Sequence, residues 1–340
     1  MSLLSKVTRR LRREAGPRVV SPVDLSDRPV ARGVAQDYLL YRNEELPDLP
    51  VLSFPPSVPA NRLSTGPDEL VLGVARGTEA KVYPISTLQW HHIVNDELDG
   101  APLTVAFCRK CFSGVALDPV VDDQALTFQV FGLYLGSMVM SDQQTGTVWA
   151  PFTGEALAGP LAGRRMRLEA VEMTTLPRWL ERYPGSLVPD PAVMVTPDPL
   201  RPGQSEHARA LRRSVPRWDP RLEARTIVLG VTVGRSSRAY VMDSERPGPP
   251  VFEDELAGTP LVLLAGRGAW PLAFERRVAG RTLAFTVEGD RVVDEGGSEW
   301  DGGNAVAGPM AGKSLDFLPS HLSEWYAWAA YHPDTDIVRP

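Results

Sequence analysis

The chain has 340 residues, 43% of them apolar, enough for one large domain or two of ordinary size with real cores. Its 36 basic and 42 acidic residues leave a formal charge of -6 and no sustained basic face to follow phosphates, so nucleic acid is not an expected partner. Two cysteines in all exclude a disulfide-rich secreted framework and a closed four-thiolate zinc site.

Residues 1–16, MSLLSKVTRRLRREAG, carry the positive charge of a signal peptide without the apolar stretch that must follow it. No run approaches the roughly 18 apolar residues of a membrane helix. The expectation is a cytoplasmic protein with no transmembrane segment. Leu3, Leu4, Val7 and Leu11 fall on one side of a short basic helix with Arg9, Arg10, Arg12 and Arg13 opposite. That pattern suits an anionic membrane surface; a solvated, frayed helix is the plainer reading.

Residues 16–66 are rich in proline and read as an extended lead-in wrapped on a domain. From Glu69 the pattern changes, and Leu70 to Val74 and Lys81 to Tyr83 predict two strands about a turn at Gly77. Ser86 is a candidate cap for a short helix carrying Leu88, His91, His92 and Val94 and ending near Asp96 and Gly100. The apolar run Leu103 to Phe107 then delivers the chain to Cys108-Arg109-Lys110-Cys111.

Beyond it, VALDPVV and ALTFQVF flank Asp122-Asp123 as a hairpin, and MVMSD and TVWAP form a second one that places Met138, Met140 and Trp149 on neighbouring strands. A glycine-rich connection leads to MTTLPRWLERYP, a helix capped by Thr175 and holding Trp179 and Leu180. Residues 189–222 read as a linker with a short helix around His207 to Arg213.

An internal repeat organises the chain. Val71-Leu72-Gly73-Val74 recurs as Val228-Leu229-Gly230-Val231, and Asp96-Glu97-Leu98 with Gly100 and Pro102 as Asp254-Glu255-Leu256 with Gly258 and Pro260. Gly159 to Gly163 returns as Gly308 to Gly312, Trp149 as Trp300, and Trp179 as Trp328. The predicted fold is α+β, strand-rich, in two duplicated modules each ending in a Trp-bearing helix. Residues 1–68 are the lead-in, 69–188 the first module, 189–225 the linker and 226–340 the second. Where the first module has VAFCRKCFSG, the second has VLLAGRGAWP, so the second keeps the scaffold without the cysteines and is expected to wall a pocket between the two.

Cys108 and Cys111, two residues apart on the turn that leaves a buried strand, supply two soft thiol ligands or one redox dithiol. His91 is either a third ligand or a helix histidine bonded to a carbonyl, and His92 faces a different side of the helix. Met140 is a core residue unless its thioether joins the set, which would then favour copper(I). Asn95 and Asp96 are candidates for capping the helix end or orienting a ligand.

These residues resemble a known bacterial group, the domain-of-unknown-function family 3179. Trp90-His91-His92-Ile93-Val94-Asn95-Asp96, Cys108 to Gly114 and Val139-Met140-Ser141-Asp142 are similar, in order, to that family's segments, as are Gly159 to Gly163 and Trp325 to Thr335. The likeness covers roughly residues 69–338. His92 stands where the family often has Glu, and Arg109 where it often has Pro. The resemblance implies a fold and a site but no reaction.

The leading expectation is a redox enzyme or metal-binding protein acting on a small molecule through Cys108 and Cys111, with His91, then His92 and Met140, as further ligands. Copper is the first-choice ion and zinc the second. An imidazole nitrogen is then expected within about 4 Å of a cysteine sulfur. The alternatives are a metal-free dithiol oxidoreductase, with Arg109 and Lys110 depressing one thiol pKa, and a non-enzymatic metal- or ligand-binding protein.

Overall fold

A computed structural model describes residues 23–41, 51–64, 66–194, 211–242 and 251–340. The basic segment 1–16, with its membrane-surface expectation, and His207 lie outside the described residues. Strands dominate, and three seven-residue helices, Ile85–His91, Leu176–Arg182 and Trp325–Tyr331, punctuate them. The expected α+β mixture is therefore corrected to a mostly β fold. The reason is visible at the first helix. His92 closes it at φ +63°, and Ile93–Leu98, expected to continue the helix, is a strand paired with Ala101–Cys108.

In the first half, one sheet runs Glu172–Thr175, Leu70–Arg76, Glu79–Pro84, Leu187–Pro189, and another Arg167–Glu169, Ser113–Asp118, Ala101–Cys108, Ile93–Leu98. A third runs Phe128–Tyr134, Ser137–Asp142, Val148–Ala150, Glu155–Ala158. The lead-in adds a short edge strand to each: Ser57–Pro59, Leu52–Ser53 and Leu40–Tyr41, respectively. It is thus woven into the sheets rather than merely laid over them.

In the second half, the first sheet runs Ser320–Glu324, Ile227–Val233, Ser236–Val241, Asp336–Val338. The next runs Asp316–Phe317, Leu272–Glu275, Thr259–Leu264, Val251–Leu256, and the last Phe285–Glu288, Arg291–Asp294, Glu299–Asp301, Asn304–Ala307. The two largest buried clusters each draw on both halves: Phe152 meets Trp328 in one, while Leu72 and Tyr83 share the other with Leu229 and Tyr240. Neither half keeps its core to itself.

Several local expectations hold. Gly77 turns between Leu70–Arg76 and Glu79–Pro84 at φ +56°, and Asp122 and Asp123, both at positive φ, turn the small Val121–Gln124 hairpin. Met140 pairs with Trp149 across adjacent strands. The capping expectations fail in part: Pro84, not Ser86, precedes the first helix, and the Thr175 hydroxyl makes no capping bond although Thr175 holds the N-cap position.

Candidate active site

Cys108 ends its strand opposite Ser113, and Arg109 to Phe112 form the tight tip between them, with Phe112 at φ +53°. Both thiols are free and buried, Cys108 4% and Cys111 0% exposed. The Cys108 sulfur accepts the Met138 N–H at 3.4 Å. A thiol hydrogen bond from Cys111, joined by the backbone N–H groups of Cys111, Met138 and Lys110, overcomes burial and holds Cys108 well below the ordinary thiol range. Burial, and then the Cys108 sulfur, push the Cys111 thiol up. Cys111 also lies 3.2 Å from Ser113 Oγ and 3.4 Å from Ser137 Oγ. The two sulfurs are therefore unequal: one is stabilised as a thiolate, and its neighbour keeps the proton.

Trp90 and Arg109 lie beside the thiol turn. Trp90 is half-buried, and the Arg109 guanidinium lies 4.9 Å from its ring centroid, a cation–π contact over the turn. Burial lowers the Arg109 pKa and the Cys108 charge opposes that shift.

The second half reaches this site directly. The Glu324 N–H donates to the Cys111 carbonyl at 2.7 Å. Its Oε1 lies 3.5 Å from the exposed Arg225, while Oε2 is buried with no hydrogen-bond partner among the described residues. Burial, with the Cys108 charge adding to it and Arg225 opposing, raises the Glu324 carboxyl to about 7. Tyr326 donates to the Gly136 carbonyl at 3.4 Å, and its pKa is raised by burial and by both cysteines. Sequence reasoning missed Glu324 and Tyr326. Their signal was their place at the start of the terminal Trp-bearing helix, which looked like scaffold.

The expected ligands do not assemble. Among the described residues no group of three or more His, Cys, Asp and Glu side chains is placed to hold a metal ion, so neither His91 nor His92 completes such a set with the thiols. His91 is buried at the last helical position, and the His92 Nδ1 is 3.3 Å from the Phe107 carbonyl. Met140 is fully buried in the same apolar cluster as the cysteines. Asn95 and Asp96 serve neither as helix caps nor behind a ligand. Asn95 clamps the Phe128 backbone through both side-chain amide atoms, at 2.8 and 2.9 Å. Asp96 accepts from Lys81 at 2.9 Å and from Tyr83 at 2.9 Å in the interior.

With this geometry established, the comparisons with known proteins locate the chain. Residues 47–335 match the family described as "Protein of unknown function (DUF3179)", and the chain belongs to that family. No curated protein and no solved structure matches it.

Proposed function

We propose that the protein is a thiol–disulfide oxidoreductase in which Cys108 is the nucleophile and Cys111 the resolving thiol. The observation that carries the reading is the unequal pair: Cys108 accepts the Met138 N–H and is held well below the ordinary thiol range beside Cys111, whose thiol burial pushes up. The Cys108 thiolate attacks one sulfur of a small disulfide, R–S–S–R, and releases one thiolate. Cys111 then attacks the Cys108 sulfur of the mixed disulfide, its proton leaving with the second departing thiolate. Two electrons pass to the substrate, and the protein is left with a Cys108–Cys111 disulfide. The cytoplasm belongs to this reading, because its reducing pool returns such a pair to dithiol.

The scaffold reading that accompanies it is a duplication, with modules at residues 69–188 and 226–340. The strand orders of the two halves, taken sheet by sheet, support it. So do paired details: Trp149 and Trp300 each donate to an aspartate, Asp142 and Asp294, at 2.8 and 2.9 Å. Gly73 and Gly230 each lie under the ring of a helix tryptophan, Trp179 and Trp328.

The deciding experiment equilibrates purified protein with glutathione redox buffers and reads the pair by mass spectrometry after alkylation. A reversible Cys108–Cys111 disulfide, lost in Cys108→Ser, supports the proposal. Inert thiols refute it. Near-stoichiometric copper or zinc in protein purified without added metal, lost in Cys108→Ser, would replace it with the metal-centred reading, copper(I) held by the two thiolates being the first case.

A further inference from the structure

A cavity of about 1040 Å³ opens between the two halves, with neither cysteine in its lining. Its volume is at the upper end of the range for small-molecule sites, and interfaces of this kind are where such sites concentrate. One wall is aromatic. Phe152 stacks on Tyr331 with centroids 4.4 Å apart and planes 13° from parallel, and Trp328 and His332 pack beside them at 4.2 Å with their planes tilted by 37°. Phe152 and Trp328 are buried, so Tyr331 and His332, both half-buried, present the aromatic face to the cavity.

The charged lining is unbalanced. Arg32, Arg165, Arg167 and Arg235 line the cavity, and Glu155 is the one acid that does. Arg165 is paired with Glu155, and Arg167 with Asp118 and Glu169. Arg32 and Arg235 have no acidic partner among the described residues. In a chain of formal charge -6, two unneutralised guanidiniums on one cavity are a local reversal of sign.

A second observation points inward. His321, 5% exposed, lines the cavity with its ring against Phe152 at 4.4 Å, and its Nε2 is buried with no hydrogen-bond partner among the described residues. An unmade bond at a buried polar atom is costly, and a ligand that supplies it recovers that cost.

We propose that this cavity binds a small organic anion carrying a flat ring, an aryl carboxylate or aryl phosphate. The ring lies against Tyr331 and His332, the anionic end meets Arg32 and Arg235, and His321 completes the polar contacts. This site stands apart from the thiol chemistry, and its test does not depend on it.

Isothermal titration of the full chain with benzoate and phenyl phosphate, with benzyl alcohol and inorganic phosphate as controls, tests the assignment. The aryl anions bind and the controls do not, and binding weakens as salt is raised. The charge-reversed Arg32→Glu/Arg235→Glu variant alters two exposed side chains and leaves the core untouched; it loses binding. His321→Phe keeps the ring and removes its nitrogens, and it weakens binding about tenfold, the loss typical of one hydrogen bond to a charged group. No binding of either aryl anion at millimolar concentration overturns the proposal. So does binding that survives the arginine reversal, and so does inorganic phosphate binding as tightly as phenyl phosphate.

Discussion

Replacing Gly230 with alanine tests whether the terminal helix is locked onto its sheet. A Cβ built there meets Trp328 Cζ3 at 2.0 Å and Cε3 at 2.1 Å, too close for real atoms. Trp328 is 1% exposed, and its Nε1 donates to Thr335 Oγ1 at 3.0 Å, so the ring can withdraw only by giving up that bond or lifting the helix. Overpacking of this kind costs about 1–3 kcal/mol, against a gain of about 0.4–1 kcal/mol from the stiffer unfolded chain. The net expectation is a lower Tm, by about 2–4 °C for each kcal/mol lost. Gly73→Ala, whose Cβ meets Trp179 at 2.3 Å, falls by a similar amount, because Trp179 is held the same way by Ser186 at 2.7 Å. Gly185→Ala, with nothing within 4 Å, is the control and keeps its Tm or gains slightly. Differential scanning calorimetry reads all three. A Gly230→Ala protein that melts with the wild type would show that Trp328 moves freely and would sink the packing argument.

Three further outcomes are expected. Lys81→Met strands Asp96 in the interior, where the pair is 3% and 5% exposed, and costs about 3–5 kcal/mol in urea unfolding; Lys81→Met/Asp96→Leu costs less than the single variant, and equal costs would contradict the buried-pair account. Cys108 reacts with iodoacetamide at lower pH than an ordinary thiol, and Cys111→Ala, which removes the strongest lowering contact, moves its pH–rate profile upward; an unmoved profile refutes the donor role of Cys111. His321 and His332 are held neutral by burial, with pKa values down to about 3 and about 4 from an ordinary 6.5, so their stability contribution is complete above 6.5 and is lost as pH falls towards those values. His321→Phe therefore flattens the acid side of the stability curve by up to about 1.4 kcal/mol per pH unit, and an unchanged slope in denaturant titrations would count against it. Glu324, raised to about 7 from 4.5, has the opposite sign: its contribution is complete below 4.5 and fades as pH rises through 7.

What the sequence revealed depended on how local each signal was. An apolar run and turn chemistry located the strands around Gly77 and the turn at Asp122-Asp123 because those elements are set by neighbours in the chain, whereas Ser113–Asp118 and Phe128–Tyr134, expected to pair across that turn, pair with other strands. The helix through His92 was overextended for the converse reason. His91 and His92 follow a true helical turn, but Ile93 to Leu98 obey the pairing with Ala101–Cys108, which no local window contains. The site was legible as far as its cysteines and no further. Cys108 and Cys111 announce themselves by spacing, whereas Glu324 is separated from them by some two hundred residues and reaches Cys111 only because the terminal helix of one half lies over the hairpin tip of the other.

That crossed arrangement accounts for the fate of the second tip. On the duplication reading, Ala265 to Gly268 stand where Cys108 to Cys111 stand, and the first half's helix Leu176–Arg182 covers them as Trp325–Tyr331 covers the cysteines. The Thr174 hydroxyl donates to the Gly268 carbonyl at 2.9 Å, where the Glu324 backbone N–H donates to the Cys111 carbonyl at the other tip. Here, however, arginine side chains occupy the space. A Cβ on Gly266 would meet Arg182 Nη1 at 2.4 Å, and one on Gly268 would meet Arg178 Cγ at 2.9 Å. Arg182 is in turn fixed by Glu172 and Asp301. Restoring a thiol pair at this tip takes cysteines at Ala265 and Gly268, and Gly268, at φ +71°, is where a side chain is strained and meets Arg178. On this reading the second half meets the thiol pair through the residues that start its helix, Glu324 and Tyr326, and not through its own turn.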